Sequence, residues 1–289
     1  MYGGDPHGTF HRLGPAVPRI PVVLAVPHAG RDYPEAMLAR ASASRERLEA
    51  LEDRHVDALI AGAVLLGATA FVATRARCWM DLNRDEREVD PAMVDPMPPG
   101  HRLLNSAKLR GGLGLIPRRV AGIGELWRGP LPADEVQSRI LAHHRPYHGA
   151  IAAALAAART RFGAVLLLDC HSMPPVSDDP GMAPQVVIGD RYGRSAAPAL
   201  VKQLVGLVED AGLVVSRNTP YAGGYTLDRH GRPRAGIHAV QVEIDRTLYL
   251  EPDRRTLSAG AAPIAALLAR MTGALAEELG GEPPAIAAE

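Results

Sequence analysis

Short apolar runs rich in β-branched residues alternate along this chain with longer stretches of helical periodicity. Runs at Val22–Val26, Ala70–Thr74, Cys78–Leu82, Val165–Leu168, Val186–Ile188, Val214–Ser216 and His238–Ile244 predict strands. Between them, Arg45–Leu66, Ala133–Ala158, Gly193–Ala211 and Leu257–Leu279 repeat apolar residues at three- and four-residue spacing. In Ala133–Ala158 the residues Val136, Ile140, Tyr147, Ile151 and Leu155 share one helical face. This alternation predicts an α/β layered fold, with helices available to cover a sheet.

Two of the strands end in polar chemistry. Val165–Leu168 is apolar without alternation, as expected of a strand covered on both faces, and is expected to stop at Asp169-Cys170-His171-Ser172. Val22–Val26 runs in the same way into Pro27-His28-Ala29-Gly30. Ligands of open α/β sheets gather beyond the carboxyl ends of the strands, so His28 and His171 are expected on one rim. Pro- and Gly-rich segments at Asp90–Gly100, Met173–Pro184 and Pro220–Gly236 are expected to be loops. No repeat or low-complexity linker divides the sequence, so residues 1–289 are expected to form one domain, with residues 1–19 and 280–289 as loosely ordered tails.

Composition narrows the function classes. Hydrophobic residues make up 47% and charged residues 22%, as in an ordinary globular protein. Lys and Arg (32) balance Asp and Glu (32), so no global field favours nucleic acid or an anionic membrane, and any cationic site must be built locally. The longest apolar stretches, Ala150–Ala158 and Ala259–Ala269, fall short of the roughly 18 residues of a spanning helix. Met1–Arg19 has no apolar signal core, and a cytoplasmic location is expected. Cys78 and Cys170 lie in apolar surroundings and are expected to be buried reduced thiols.

Several polar groups suit catalysis. His28, His171 and a carboxylate from Glu52 or Asp53 have the composition of a catalytic zinc site, in which three side chains leave one position open. Glu243 sits among Val240, Val242 and Ile244, where a carboxylate needs either an ion-pair partner or a purpose such as general-base catalysis. Arg77, Asn83 and Arg84, with Arg217 and Arg246 as further candidates, could grip a substrate carboxylate through charge-assisted hydrogen bonds. The paired Gly223 and Gly224 in Arg217–Tyr225 allow close backbone approach, as in a substrate-covering loop. His144 and His148 stand four apart, but Pro146 lies between them and no Glu follows the first, so they read as structural.

In their order along the chain, Val26–Gly30, Glu52–Asp57, Met80–Arg84, Asp169–Pro174, Gly189–Arg191, Asn218–Tyr225 and Gly236–Ile244 resemble the N-formylglutamate amidohydrolases over roughly residues 20 to 250. That family is similar to the zinc carboxypeptidases and aspartoacylases. The resemblance implies a three-layer α/β/α sandwich around a mixed, mostly parallel sheet, phosphorylase/hydrolase-like. It implies one zinc ion held by His28, Asp53 and His171, with Asp53 preferred to Glu52, and Glu243 as the base. Arg77, Asn83, Arg84, Arg217, Gly223 and Gly224 would bind a small N-acyl acidic amino acid, N-formyl-L-glutamate first among them, in histidine degradation. A carboxypeptidase- or aspartoacylase-like enzyme acting on another N-acyl amino acid or short peptide is the alternative, and a non-catalytic binding protein of the same fold a further one.

Overall fold

The apolar runs assemble into a mixed, mostly parallel sheet. The computed structural model describes residues 3–4, 8–97, 102–176 and 183–280. Its strands are β1 (Phe10–Leu13), β2 (Val22–Val26), β3 (Thr69–Ala73), β4 (Val165–Met173), β5 (Val186–Gly189), β6 (Val215–Arg217) and β7 (Ile237–Asp245). They lie in the order β1-β3-β2-β4-β7-β5-β6, with Gly3–Gly4 outside β1. The central strands β3, β2, β4 and β7 are parallel, β1 and β5 run antiparallel to their inner neighbours, and β6 is parallel to β5.

Alternate residues of the strands enter two cores, which makes the three layers. Val22, Leu24, Val26, Leu166, Leu168, Cys170, Val240, Val242 and Ile244 belong to one core, with residues of the helices Val56–Leu59, Ala61–Leu65, Pro198–Asp210 and Ala261–Glu278. Val23, Ala25, Val165, Leu167 and Ala239 belong to the other, with Tyr147, Ile151, Leu155 and Ala158 of helix Arg145–Phe162. Each fully buried aliphatic side chain contributes roughly 1.5–3 kcal/mol, so strands and helices hold each other in register.

Five expectations are corrected. Cys78–Leu82 forms turns rather than a strand: it contains no β-branched residue, and Cys78 and Met80 fill cores as the chain leaves the sheet. Strand β4 continues to Met173, so Asp169, Cys170, His171 and Ser172 lie within it and not beyond it. Arg45–Leu66 is no single helix but three short ones, Arg45–Glu49, Val56–Leu59 and Ala61–Leu65, and the break holds Asp53 and a left-handed His55 (φ 65°). Phe10–Leu13 is not a loose tail; it pairs along β3 with Phe10 buried, while residues 1–2, 5–7 and 281–289 lie outside the described residues. Pro220–Gly236 carries a helix, Tyr225–His230. Residues 98–100 of the Asp90–Gly100 loop and 177–182 of the Met173–Pro184 loop are likewise outside the described residues. Cys78 and Cys170 are buried and free. Among the described residues no helix is long and apolar enough to cross a membrane.

Candidate active site and metal centre

Half-way along β4 and β7 one face of the sheet changes chemistry. Val165, Leu167 and Ala239 on that face are core residues, whereas Asp169, His171, Gln241 and Glu243, further along the same face, are polar. The parallel register sets Asp169 beside Gln241 and His171 beside Glu243. The opposite face stays apolar through Cys170, Val242 and Ile244. That apolar face anchors the strands almost to their ends, where Ser172 interrupts it, and the other face is released for function.

His28 comes from the segment after β2, and a backbone bond from Asp53 N to His28 O (2.9 Å) fixes the helix break against it. The three predicted ligands meet there. His171 Nδ1 lies 2.9 Å and His28 Nδ1 3.3 Å from Asp53 Oδ2, and the two Nδ1 atoms are 3.1 Å apart. All three side chains are buried, and one donor atom from each falls within 4.8 Å of the others. Glu52 is turned away, accepting from Tyr33 Oη (2.6 Å) and Arg54 Nε (2.8 Å).

The outward ring nitrogens also meet carboxylates. His28 Nε2 is 2.6 Å from Asp81 Oδ1, and His171 Nε2 is 3.1 Å from Asp169 Oδ2. The hydrogen bond to Asp81 fixes the His28 tautomer, so that its Nδ1 points inward as a lone pair. The remaining oxygen of Asp53, Oδ1, accepts from Arg246 Nη2 (3.1 Å) and Ser172 Oγ (3.2 Å), which leaves Oδ2 to the histidines. Burial opposes charge on Asp53, yet bonds to His171 and His28 hold it well below the usual carboxylate range. Burial likewise opposes charge on His171, but Asp169 and then Asp53 hold its imidazole well above the usual value. Two inward nitrogens, one carboxylate oxygen and a proton held between them form a donor set that a divalent cation fits.

The cluster floors a cleft of about 550 Å³ that Glu243 also lines. Burial pushes Glu243 up to about 7, the region of an efficient general base at neutral pH. Gln241 Nε2 donates to its Oε1 (2.8 Å) and so fixes the carboxylate's orientation. Arg77 and Arg84 line the same cleft. Arg77 Nε donates to Asp81 Oδ2 (2.9 Å), and Arg84 to the carbonyls of Leu113 and Asn83 (2.8 Å each), so both guanidiniums are held by the wall.

The sequence model of the N-formylglutamate amidohydrolases matches residues 20–250. The chain belongs to the N-formylglutamate amidohydrolase family. It is 30% identical to N-formylglutamate deformylase of Pseudomonas putida over 242 residues, covering 81% of this chain and 83% of the relative. The Pseudomonas aeruginosa enzyme of the same name is 31% identical over 242 residues, with the same shares covered. The crystal structure of N-formylglutamate amidohydrolase from Ralstonia eutropha superposes with a TM-score of 0.86 at 35% identity, over 94% of this chain and 98% of that one.

In this N-formylglutamate amidohydrolase family member, not every expected residue reaches the cleft. Arg217 does not line it: it lies on edge strand β6, half-exposed, and pairs with Asp190 at 3.4 Å. Asn83 lines the cleft, but its amide already donates to Gln241 Oε1 (3.3 Å) and accepts from the Thr226 N–H (2.9 Å), which makes it a positioning residue. Gly224 packs against it so closely that a Cβ there would fall inside the Asn83 side chain, and Gly223 takes φ 105°, so both glycines shape the wall. Asp81, Asp169, Gln241, Lys108 and Tyr221 were missed. The alternation of Asp169 with His171 and of Gln241 with Glu243 was a readable signal for two of them.

Proposed function

We propose that this protein hydrolyses the N-formyl amide of N-formyl-L-glutamate, consuming water and releasing formate and L-glutamate. One observation carries the reading: the His28–Asp53–His171 cluster, the buried Glu243 and two fixed arginines line a single cleft. Family membership and the named activity of its relatives support the substrate.

His28, Asp53 and His171 would hold one zinc ion, which suits nitrogen and carboxylate donors. Bound there, zinc lowers the pKa of water toward about 7 and polarises a carbonyl oxygen. The chain's own residues supply the rest. Glu243 takes a proton from the attacking water and returns it to the departing amine, oriented for both by Gln241. Arg77 and Arg84 hold substrate carboxylate, and their attachment to Asp81 and the Leu113 carbonyl keeps the amide from drifting off the cluster. Asn83, Gly223 and Gly224 build the wall against which the substrate lies. A single 289-residue enzyme unit, a cytoplasmic setting and a place in histidine degradation accompany this reading.

The experiment is hydrolysis of N-formyl-L-glutamate by metal-stripped protein and by the same sample after zinc is restored, with N-acetyl-L-glutamate and N-formyl-L-leucine alongside. Zinc-dependent cleavage of the formylglutamate in preference to both is expected. Equal cleavage without metal sinks the zinc assignment, and preference for the acetyl compound sinks the formyl one.

A further inference from the structure

Most cations of the cleft are already engaged. Arg77 is bound to Asp81, Arg246 to Asp53, Arg54 to Glu49 and Glu52, and Arg255 to Glu46 and Glu49. Arg84 gives Nε and Nη1 to backbone carbonyls. Lys108 also lines the cleft, and among the described residues no carboxylate lies within ion-pair distance of its ammonium, which stands 5.6 Å from the centre of the Tyr221 ring. Protein packed around the ammonium, then Arg84 and Arg77, push its pKa below the usual lysine value, a repulsion that an incoming anion would relieve.

The position of Lys108 is built rather than incidental. Its backbone carbonyl accepts from Leu113 N (2.9 Å), and the Leu113 carbonyl accepts from Arg84 Nε (2.8 Å), so a single residue spaces the two cations. The short helix Ala107–Arg110 that carries Lys108 is capped by Ser106, whose hydroxyl donates to Glu88, and Glu88 in turn accepts from Asp85 N (3.1 Å), next to Arg84. The backbone that carries Lys108 is thus tied to the Arg84 guanidinium, so that one cation in the wall and one on the exposed rim face the same cleft, as two carboxylates on one small molecule require.

We propose that Lys108 reads the side-chain carboxylate of the substrate, while Arg77 and Arg84 hold its α-carboxylate. Lys108 is then the residue that selects an acidic N-acyl amino acid over a neutral one. This rests on the proposed hydrolysis for the identity of the substrate, but the binding test does not depend on turnover.

Binding of L-glutamate and of L-glutamine to the zinc-loaded protein is measured by titration calorimetry for wild type, Lys108→Met, Lys108→Arg and Arg254→Met. Arg254 is the control, an exposed cation that also lines the cleft without a carboxylate partner among the described residues. Wild type is expected to prefer glutamate by about 30-fold, as one charge-assisted contact supplies. Lys108→Met should reduce that preference to within about threefold, whereas Lys108→Arg and Arg254→Met keep most of it. With N-formyl-L-glutamate the Lys108→Met loss should fall on KM rather than kcat, the mark of a contact equal in ground and transition states. A wild type without preference, an intact preference in Lys108→Met, or its loss in Arg254→Met overturns the proposal. A wild type that prefers glutamate yet hydrolyses no N-formyl amino acid overturns the hydrolase reading and leaves the role of Lys108 standing.

Discussion

Among the described residues two groups of buried histidines lie in this molecule, and they differ in everything except the histidines. His28 and His171 turn Nδ1 toward Asp53 and Nε2 toward Asp81 and Asp169. Among the described residues, His144, His148 and His230 meet no carboxylate within ion-pair distance. His144 Nε2 donates to Arg84 O and His148 Nε2 to Leu82 O, both at 2.8 Å. A carbonyl only accepts, so His148 is protonated at Nε2 and its Nδ1 takes the hydrogen bond from His230 Nε2 at 3.1 Å. Burial therefore prevails over the single bond to Leu82 O: it pushes His148 well below its ordinary value and, joined by Arg229 and Arg232, His230 down to about 3. At His171 burial is outweighed by anions, Asp169 and then Asp53, and the shift goes the other way. Counter-charge, not the clustering of imidazoles, separates a cation site from a structural clamp. The clamp still serves the site, because the two carbonyls it grips flank Asn83.

The comparison breaks most sharply at Asp53. Asp53→Asn should abolish stoichiometric zinc binding, read by elemental analysis, and reduce turnover by about a thousandfold or more, since the donor set loses its charged member. Glu243→Gln should lower kcat by roughly 10²–10⁴-fold while the zinc content stays at one ion, because the base is lost and the ligands remain. Near-normal turnover in Glu243→Gln would refute its role as base. Asp81→Asn acts one shell further out, through the His28 tautomer, and should weaken zinc binding by about 10- to 100-fold in a competition titration with a chelator. An unchanged affinity would reduce Asp81 to a partner of Arg77.

Much of this is legible in the sequence. β-branched runs marked every central strand because parallel strands buried on both faces admit little else. His28, His171 and Glu243 stand out as polar groups in or just beyond apolar strands, Asp53 is one of two carboxylates between which the family resemblance chooses, and all four line one cleft. What failed, failed where tertiary context overrode local pattern. Helical periodicity carried through Ala50–His55, yet the chain there is bent to bring Asp53 against His28. Cys78–Leu82 is apolar enough for a strand, but Asp81 is drawn inward by His28 and Arg77 instead. Arg217 looked as able to bind an anion as Arg84, and only the placement of β6 at the sheet edge distinguishes them. Nothing local singles out Lys108, whose meaning comes from Leu113 and Arg84.

The histidine clamp offers the finest test. His148→Leu removes the donor to Leu82 O and the acceptor for His230, leaving two buried polar groups unpaired, and should cost about 1–3 kcal/mol in denaturant unfolding without loss of zinc. Its pH dependence carries a sign. A histidine whose folded pKa lies below its unfolded value of about 6.5 takes up its proton only on unfolding, so stability falls as pH drops below about 6.5. Each such residue contributes up to about 1.4 kcal/mol per pH unit. His148→Leu takes one of them away, so the stability gap between wild type and variant should narrow between about pH 6.5 and 5. Taking that difference cancels the terms both proteins share, including His171, whose raised pKa in the metal-free protein acts with the opposite sign. A gap that stays constant with pH would mean that His148 is protonated in the folded protein, and the contrast between the two histidine groups would rest on geometry alone.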